Sequence, residues 1–126
     1  MPVTRLVHAR QRAWTYAVAA VDEHGRIAAR PLLQILDYPP GTTVTIGEQA
    51  GLLMVTADPT GASAMSPQGH LRLAAPVRHR YDLLAGSRVL LVADPDSRRL
   101  VIHPPASLDA MVAGWYTGLS DCVPTG

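Results

Sequence analysis

A chain of 126 residues holds one compact domain or two very small ones of about 50 residues each. Its 48% apolar content excludes wholesale disorder, and its longest apolar runs, such as Ala17 to Val21 and Val89 to Ala93, are far too short to span a bilayer. The net charge of +1 hides an uneven distribution: +3 over residues 1–21, −3 over 22–58, +3 over 59–103 and −2 beyond, every base being an arginine. Such asymmetry marks either ordinary solvated surface or a polyanion partner on one side.

Residues 1–14 set Arg5, Arg10 and Arg12 among Leu6, Val7 and Ala9, which suits a short helix or a mobile basic arm. No signal-peptide pattern is visible there, and the single Cys122 leaves no internal disulfide, so the expected location is cytoplasmic. Thr15 to Val21 reads as a leading strand, and a turn at Gly25 and a short strand bring the chain to Pro31. A two-turn helix over Leu32 to Leu36 follows, because proline at a first helical position loses no intrahelical bond. Asp37 to Gly41 stops it, and strands at Thr42 to Ile46 and Leu52 to Thr56 close a unit spanning 15–58.

Residues 59–65, rich in Gly, Ala, Ser and Pro, read as a linker. The same grammar then returns over 66–104: a turn at Gly69, Pro76, a helix over Val77 to Tyr81, Gly86, and strands at Ser87 to Val92 and Leu100 to Ile102. The first glycines of the two units lie 44 residues apart and the second glycines 45 apart. Two copies of one unit are the expected organisation. Val77 and Tyr81, at i and i+4, face the core and leave Arg78, His79 and Arg80 on other faces of the helix. Arg78 can also pair weakly with Asp82 at i+4. Over 105–126, Leu108, Met111, Val112, Trp115 and Tyr116 recur at helical spacing and predict a helix over about 107–117. Its apolar face either covers an open end of the core or docks a partner protein. Cys122 falls in the tail beyond and is expected to have no function.

The sequence gives no reason to expect an enzyme. His8, His24, His70, His79 and His103 show no metal-ligand spacing, so neither metal nor cofactor is expected. Gly61-Ala62-Ser63-Ala64-Met65 lacks the final glycine of a nucleophile elbow, and no Walker or Rossmann motif occurs. Asp94 and Asp96 belong to an Asp-Pro-Asp-Ser turn.

The repeated unit resembles the AbrB/MazE/SpoVT swapped-hairpin DNA-binding domains. Asp22-Glu23-His24-Gly25-Arg26-Ile27 matches that family's opening, and Gly69-His70-Leu71-Arg72-Leu73 matches it with His70 in place of arginine. Val77-Arg78 matches the family helix, Leu83 to Val89 the approach to the hairpin, and Leu100 to Pro104 the closing strand. The likeness covers roughly residues 15–57 and 66–104. It departs from the pattern at the displaced prolines, at His70, and at Gln34, where the first helix would carry its arginine.

The resemblance implies a mainly β fold with short helices, a barrel of two tandem units that lend hairpins to each other, plus the C-terminal helix. It implies a bacterial, nucleoid-associated transcriptional regulator that binds double-stranded DNA, expected here as a homodimer. By position the DNA-binding residues are Arg26 and Arg78, joined in the second unit by Arg72, His79, Arg80 and Arg88, with Arg10 and Arg12 on a possible contacting arm. Two alternatives stand beside this. One is an antitoxin whose C-terminal helix holds a toxin while the barrel binds its own promoter. The other is an oligomerisation scaffold that does not bind DNA.

Overall fold

A computed structural model describes residues 14–122. In chain order the elements are β1 (Thr15–Ala20), β2 (Arg26–Ala28), α1 (Arg30–Ile35), β3 (Thr43–Gln49), β4 (Leu52–Ala57), β5 (Ser63–Ala64), β6 (His70–Arg72), α2 (Ala75–Arg80), β7 (Arg88–Asp94), β8 (Arg99–His103) and α3 (Pro105–Cys122). Six strands form one antiparallel sheet in the order β1-β7-β8-β4-β3-β5, and β2 pairs with β6 in a separate antiparallel ribbon. Neither β1 nor β5 joins the hairpin that follows it in its own half. β1 pairs with β7, and β5 pairs with β3. Exchanging β1 with β5, β3 with β7 and β4 with β8 turns the strand order into its own reverse.

Backbone bonds between the halves follow the same exchange. The Ala29 N–H donates to Gly69 O at 3.1 Å, and the Leu73 N–H donates to Gly25 O at 2.9 Å. The Gly41 N–H donates to Met65 O and the Gly86 N–H to Val21 O. Each short helix carries a proline in its first turn and ends at an aspartate in the left-handed region, Asp37 (φ 63°) and Asp82 (φ 55°), a conformation aspartate tolerates better than most residues.

Strand alternation divides the six-stranded sheet into two faces. Val44, Leu53, Val55, Val89, Leu91, Leu100 and Ile102 point inward and are fully buried. Ile27 of β2 and Leu71 of β6 close over them, with Leu32, Leu33 and Leu36 contributed by α1 and its end. Burying each such side chain stabilises the fold by about 1.5–3 kcal/mol before ordering costs. Val77 and Tyr81 pack against this core, as their spacing predicts.

Three sequence expectations need adjustment, and a fourth falls outside the described residues. The 59–65 linker contains β5, too short for any pattern to reveal. The C-terminal helix runs from Pro105 to Cys122 and so includes the cysteine expected in a loose tail. Residues 111–118 of that helix are all exposed, so this stretch does not cover an open end of the core. The basic segment with Arg10 and Arg12 lies outside the described residues, apart from Trp14 at the border. Among the described residues no helix is long and apolar enough to cross a membrane.

Tyr38 ties the two halves together. It is buried, its hydroxyl donates to Arg98 O, and the same hydroxyl accepts the Ala57 N–H at 3.0 Å. Arg98 sits over the ring and donates from Nε to Leu36 O and from Nη2 to Asp37 O, meeting the carbonyls that α1 leaves open at its end. Tyr38→Phe removes two hydrogen bonds to the exposed residues Ala57 and Arg98, each worth about 0.5–1.5 kcal/mol. Thermal unfolding should record a clear drop in midpoint; an unchanged midpoint would mean that water replaces the hydroxyl at no cost.

Candidate nucleic-acid interface

The β2–β6 ribbon presents two faces, because its strands alternate. Ile27 and Leu71 stand opposite each other and point into the core, while the residues on either side point away from it. Arg26 and Arg72 are directly opposite in register and both exposed; Ala28 and His70 form the next outward pair. Directly opposed cross-strand residues have Cβ atoms about 4.5–5.5 Å apart, and like charges so placed repel. The ribbon therefore sets two cations side by side, Arg26 paired with Asp22 and Arg72 without an ion pair among the described residues.

The turns entering the ribbon are each covered by an arginine from the other half. A Cβ built on Gly25 (φ 77°) would lie 2.5 Å from Arg78 Nε, and one on Gly69 (φ 80°) would lie 2.6 Å from Arg30 Cβ. Glycine is needed at both places for the left-handed backbone and for the close approach. Arg78 is half-buried and donates from Nε to Leu73 O at 3.1 Å. Asp82 forms no ion pair with it among the described residues, which corrects the local i, i+4 pairing expected from sequence. Arg72 and Arg78 line a cavity of about 460 Å³ whose other walls are Leu73 and small residues, Ser63, Ala74 and Ala75 among them.

Asp22 organises the first turn. Its Oδ1 accepts the N–H groups of Arg26 and His24, and its Oδ2 accepts Arg26 Nε, each at 2.8 Å. The Arg26 N–H contributes most to holding the carboxyl at about 2, followed by the Arg26 side chain and the His24 N–H. The guanidinium carries five donors, so this pairing does not exhaust Arg26. An ordinary aspartate in the unfolded chain titrates near about 3.9, so Asp22 stabilises the fold fully above that pH and ceases to do so as pH falls toward about 2. Hydrogen bonds from Thr45 and Thr60 lower Asp58 as well, and Ser97 lowers Asp94. Urea-unfolding midpoints should fall across this acid window, and less steeply in Asp22→Asn; equal slopes would place the acid-sensitive bonds elsewhere.

The remaining sequence candidates are dispersed. Arg80 is held by Glu48 of β3 at 2.8 Å. His79 is exposed on α2. Arg88 stands opposite Ala20 and shares its strand parity with Leu90 and Val92, so it lies on the outer sheet face, away from the ribbon. Arg30 was not singled out by the sequence; its signal was the alternation Arg26, Ala28, Arg30 running straight off β2. Gln34 is not the positional counterpart of Arg78. The Leu33 N–H donates to Ala29 O as the Arg78 N–H donates to Ala74 O, so the counterpart is buried Leu33.

No protein-family model, curated protein or solved structure matches the chain. The site therefore rests on its own geometry. Arg26, Arg72, Arg78 and Arg30 converge on the ribbon and its two turns, and of these only Arg26 forms an ion pair among the described residues. Among those same residues no cluster of His, Cys, Asp or Glu side chains could hold a metal ion. What the arrangement offers chemically is two exposed arginines opposed on the ribbon, with Arg30 and Arg78 at its turns, suited to a repeating anion.

Proposed function

We propose that the chain is a DNA-binding transcriptional regulator of the AbrB-like class, made of two tandem units that exchange hairpins. The exchange of β1 and β5 between the two hairpins supports the swapped-hairpin reading. The observation that carries the function is the Arg26–Arg72 pair, opposed on an outward ribbon face and flanked by Arg30 and Arg78. On this reading duplex phosphates neutralise these cations, and His70 and the turn residues are the proposed contacts to groove edges. Arg80, engaged by Glu48, and Arg88, on the outer sheet face, take no part.

A second reading has one observation in its favour. Met111, Val112, Trp115 and Tyr116 are exposed along α3, which suits a protein partner such as the toxin of an antitoxin pair.

The test is a salt titration of binding to one short duplex. Four phosphate contacts give a slope of log K against log salt of about −3.6. Arg80→Ala should leave that slope unchanged. Absence of binding, or a slope near zero, overturns the proposal.

A further inference from the structure

The β2–β6 ribbon is symmetric in its backbone and unequal in its side chains. Exchanging the halves carries Ile27 onto Leu71 and so turns the ribbon end for end, with Arg26 taking the place of His70 and Ala28 that of Arg72. The turn backbones obey this exchange. The Asp22 N–H donates to Arg26 O and the Ser66 N–H to His70 O, both at 3.0 Å. Asp22 Oδ1 accepts the Arg26 N–H at 2.8 Å, and Ser66 Oγ accepts the His70 N–H at 2.9 Å. Glu23-His24 in one turn therefore corresponds to Pro67-Gln68 in the other.

The side chains break the match. Beside the Gly25 turn the outward pair is Arg26 with Arg72, and Arg78 lies against the glycine. Beside the Gly69 turn the outward pair is Ala28 with His70, and Arg30 lies against the glycine. The Gly25 turn is also acidic. Asp22 is occupied by Arg26, but the Glu23 side chain is 82% exposed, with only the imidazole of His24 3.7 Å away. Ser66, Pro67 and Gln68 carry no charge at all.

We infer that the chain binds a duplex in one orientation and reads bases from the Gly69 end alone, so that its site is a short asymmetric element with A·T pairs. This rests on the proposed DNA-binding role. A two-stranded ribbon fits the major groove. Phosphate contacts position a protein there but carry no sequence information, so the unequal ends must set the direction. Lowering the Gly25 turn into the groove brings the charge of Glu23 between two walls of phosphate, where like charges repel. Arg26 and Arg72 instead hold that end at the level of the phosphates. The Gly69 turn meets no such repulsion and carries Gln68, His70 and Ala28 toward the base edges. Their chemistry names the bases. A glutamine side chain pairs bidentately with adenine, and an alanine methyl packs on the methyl of thymine.

The test starts with the full chain selecting duplexes from a random pool. The bound sequences should share one element that contains A·T pairs and has no dyad. Gln68→Ala should cut the preference for this element over a scrambled duplex about tenfold. Arg72→Ala should weaken binding to both duplexes alike.

Orientation is read by iron–EDTA attached to a single cysteine, in a Cys122→Ser background. Gln34→Cys on α1 and His79→Cys on α2 are exposed, correspond under the exchange of halves, and lie on the helices that begin beside opposite ends of the ribbon. The two variants should cut the selected element at different places. Identical cutting patterns mean that both orientations are occupied and overturn the inference. So do bound sequences with no shared element, and equal losses of preference in Gln68→Ala and His24→Ala. Each of those results leaves DNA binding itself standing. A chain that binds no duplex removes the DNA-binding reading and the inference with it.

Discussion

Alanine at both Arg26 and Arg72 is expected to weaken duplex binding about 30-fold at 0.15 M salt and to flatten its salt dependence by about 1.8 in slope. Each neutralised phosphate releases about 0.9 of a counterion, worth about fivefold in affinity at that salt. The two arginines face each other across β2 and β6, so one phosphate path meets both. Folding stability should move differently. Removing two like charges from directly opposed positions relieves repulsion, partly offset by losing the exposed Asp22–Arg26 pair. Binding that falls while stability holds separates direct contact from damage to the fold. Unchanged affinity would take the ribbon out of the interface.

Leu71→Ala should produce the largest loss of stability, about 2–5 kcal/mol out of a typical total of about 5–15. Leu71 has no exposed surface, stands opposite Ile27, and anchors the ribbon to the inner sheet face. Truncation leaves a cavity beneath the strand that carries Arg72. Urea denaturation measures the cost, and Leu84→Ala serves as the control because Leu84 is 65% exposed. A loss below about 1 kcal/mol would mean that the ribbon is not held by this contact.

What the sequence makes legible here is whatever local chemistry decides. Gly25, Gly41, Gly69 and Gly86 all adopt positive φ, and Pro31 and Pro76 sit in the first helical turns, so the turns and short helices could be read from single residues. The hairpin strands could be read too, with ends moving by one to three residues. β5 could not, because its two residues are strand only through pairing with β3.

Charge was less legible, since pairing is a long-range property. Arg80 pairs with Glu48 rather than with a neighbour in sequence, and Arg98 reaches the end of α1 across some sixty residues. The closeness of Arg78 to Gly25 and of Arg30 to Gly69 likewise exists only once the two halves interlock. The apolar spacing in 107–117 found α3 but not its exposure, because periodicity says which residues share a face and not what covers it.

The most direct measurement of the central claim is a duplex titration followed by backbone amide shifts in nuclear magnetic resonance. Saturable shifts should concentrate at Arg26 to Ala28, His70 to Arg72 and the turns at Gly25 and Gly69, with smaller changes at Arg30 and Arg78. The outer-face strands around Val92 and Val101 should stay still. Shifts confined to that outer face or to α3, or no saturable shifts at all, would contradict the assignment of the ribbon as the DNA-binding surface.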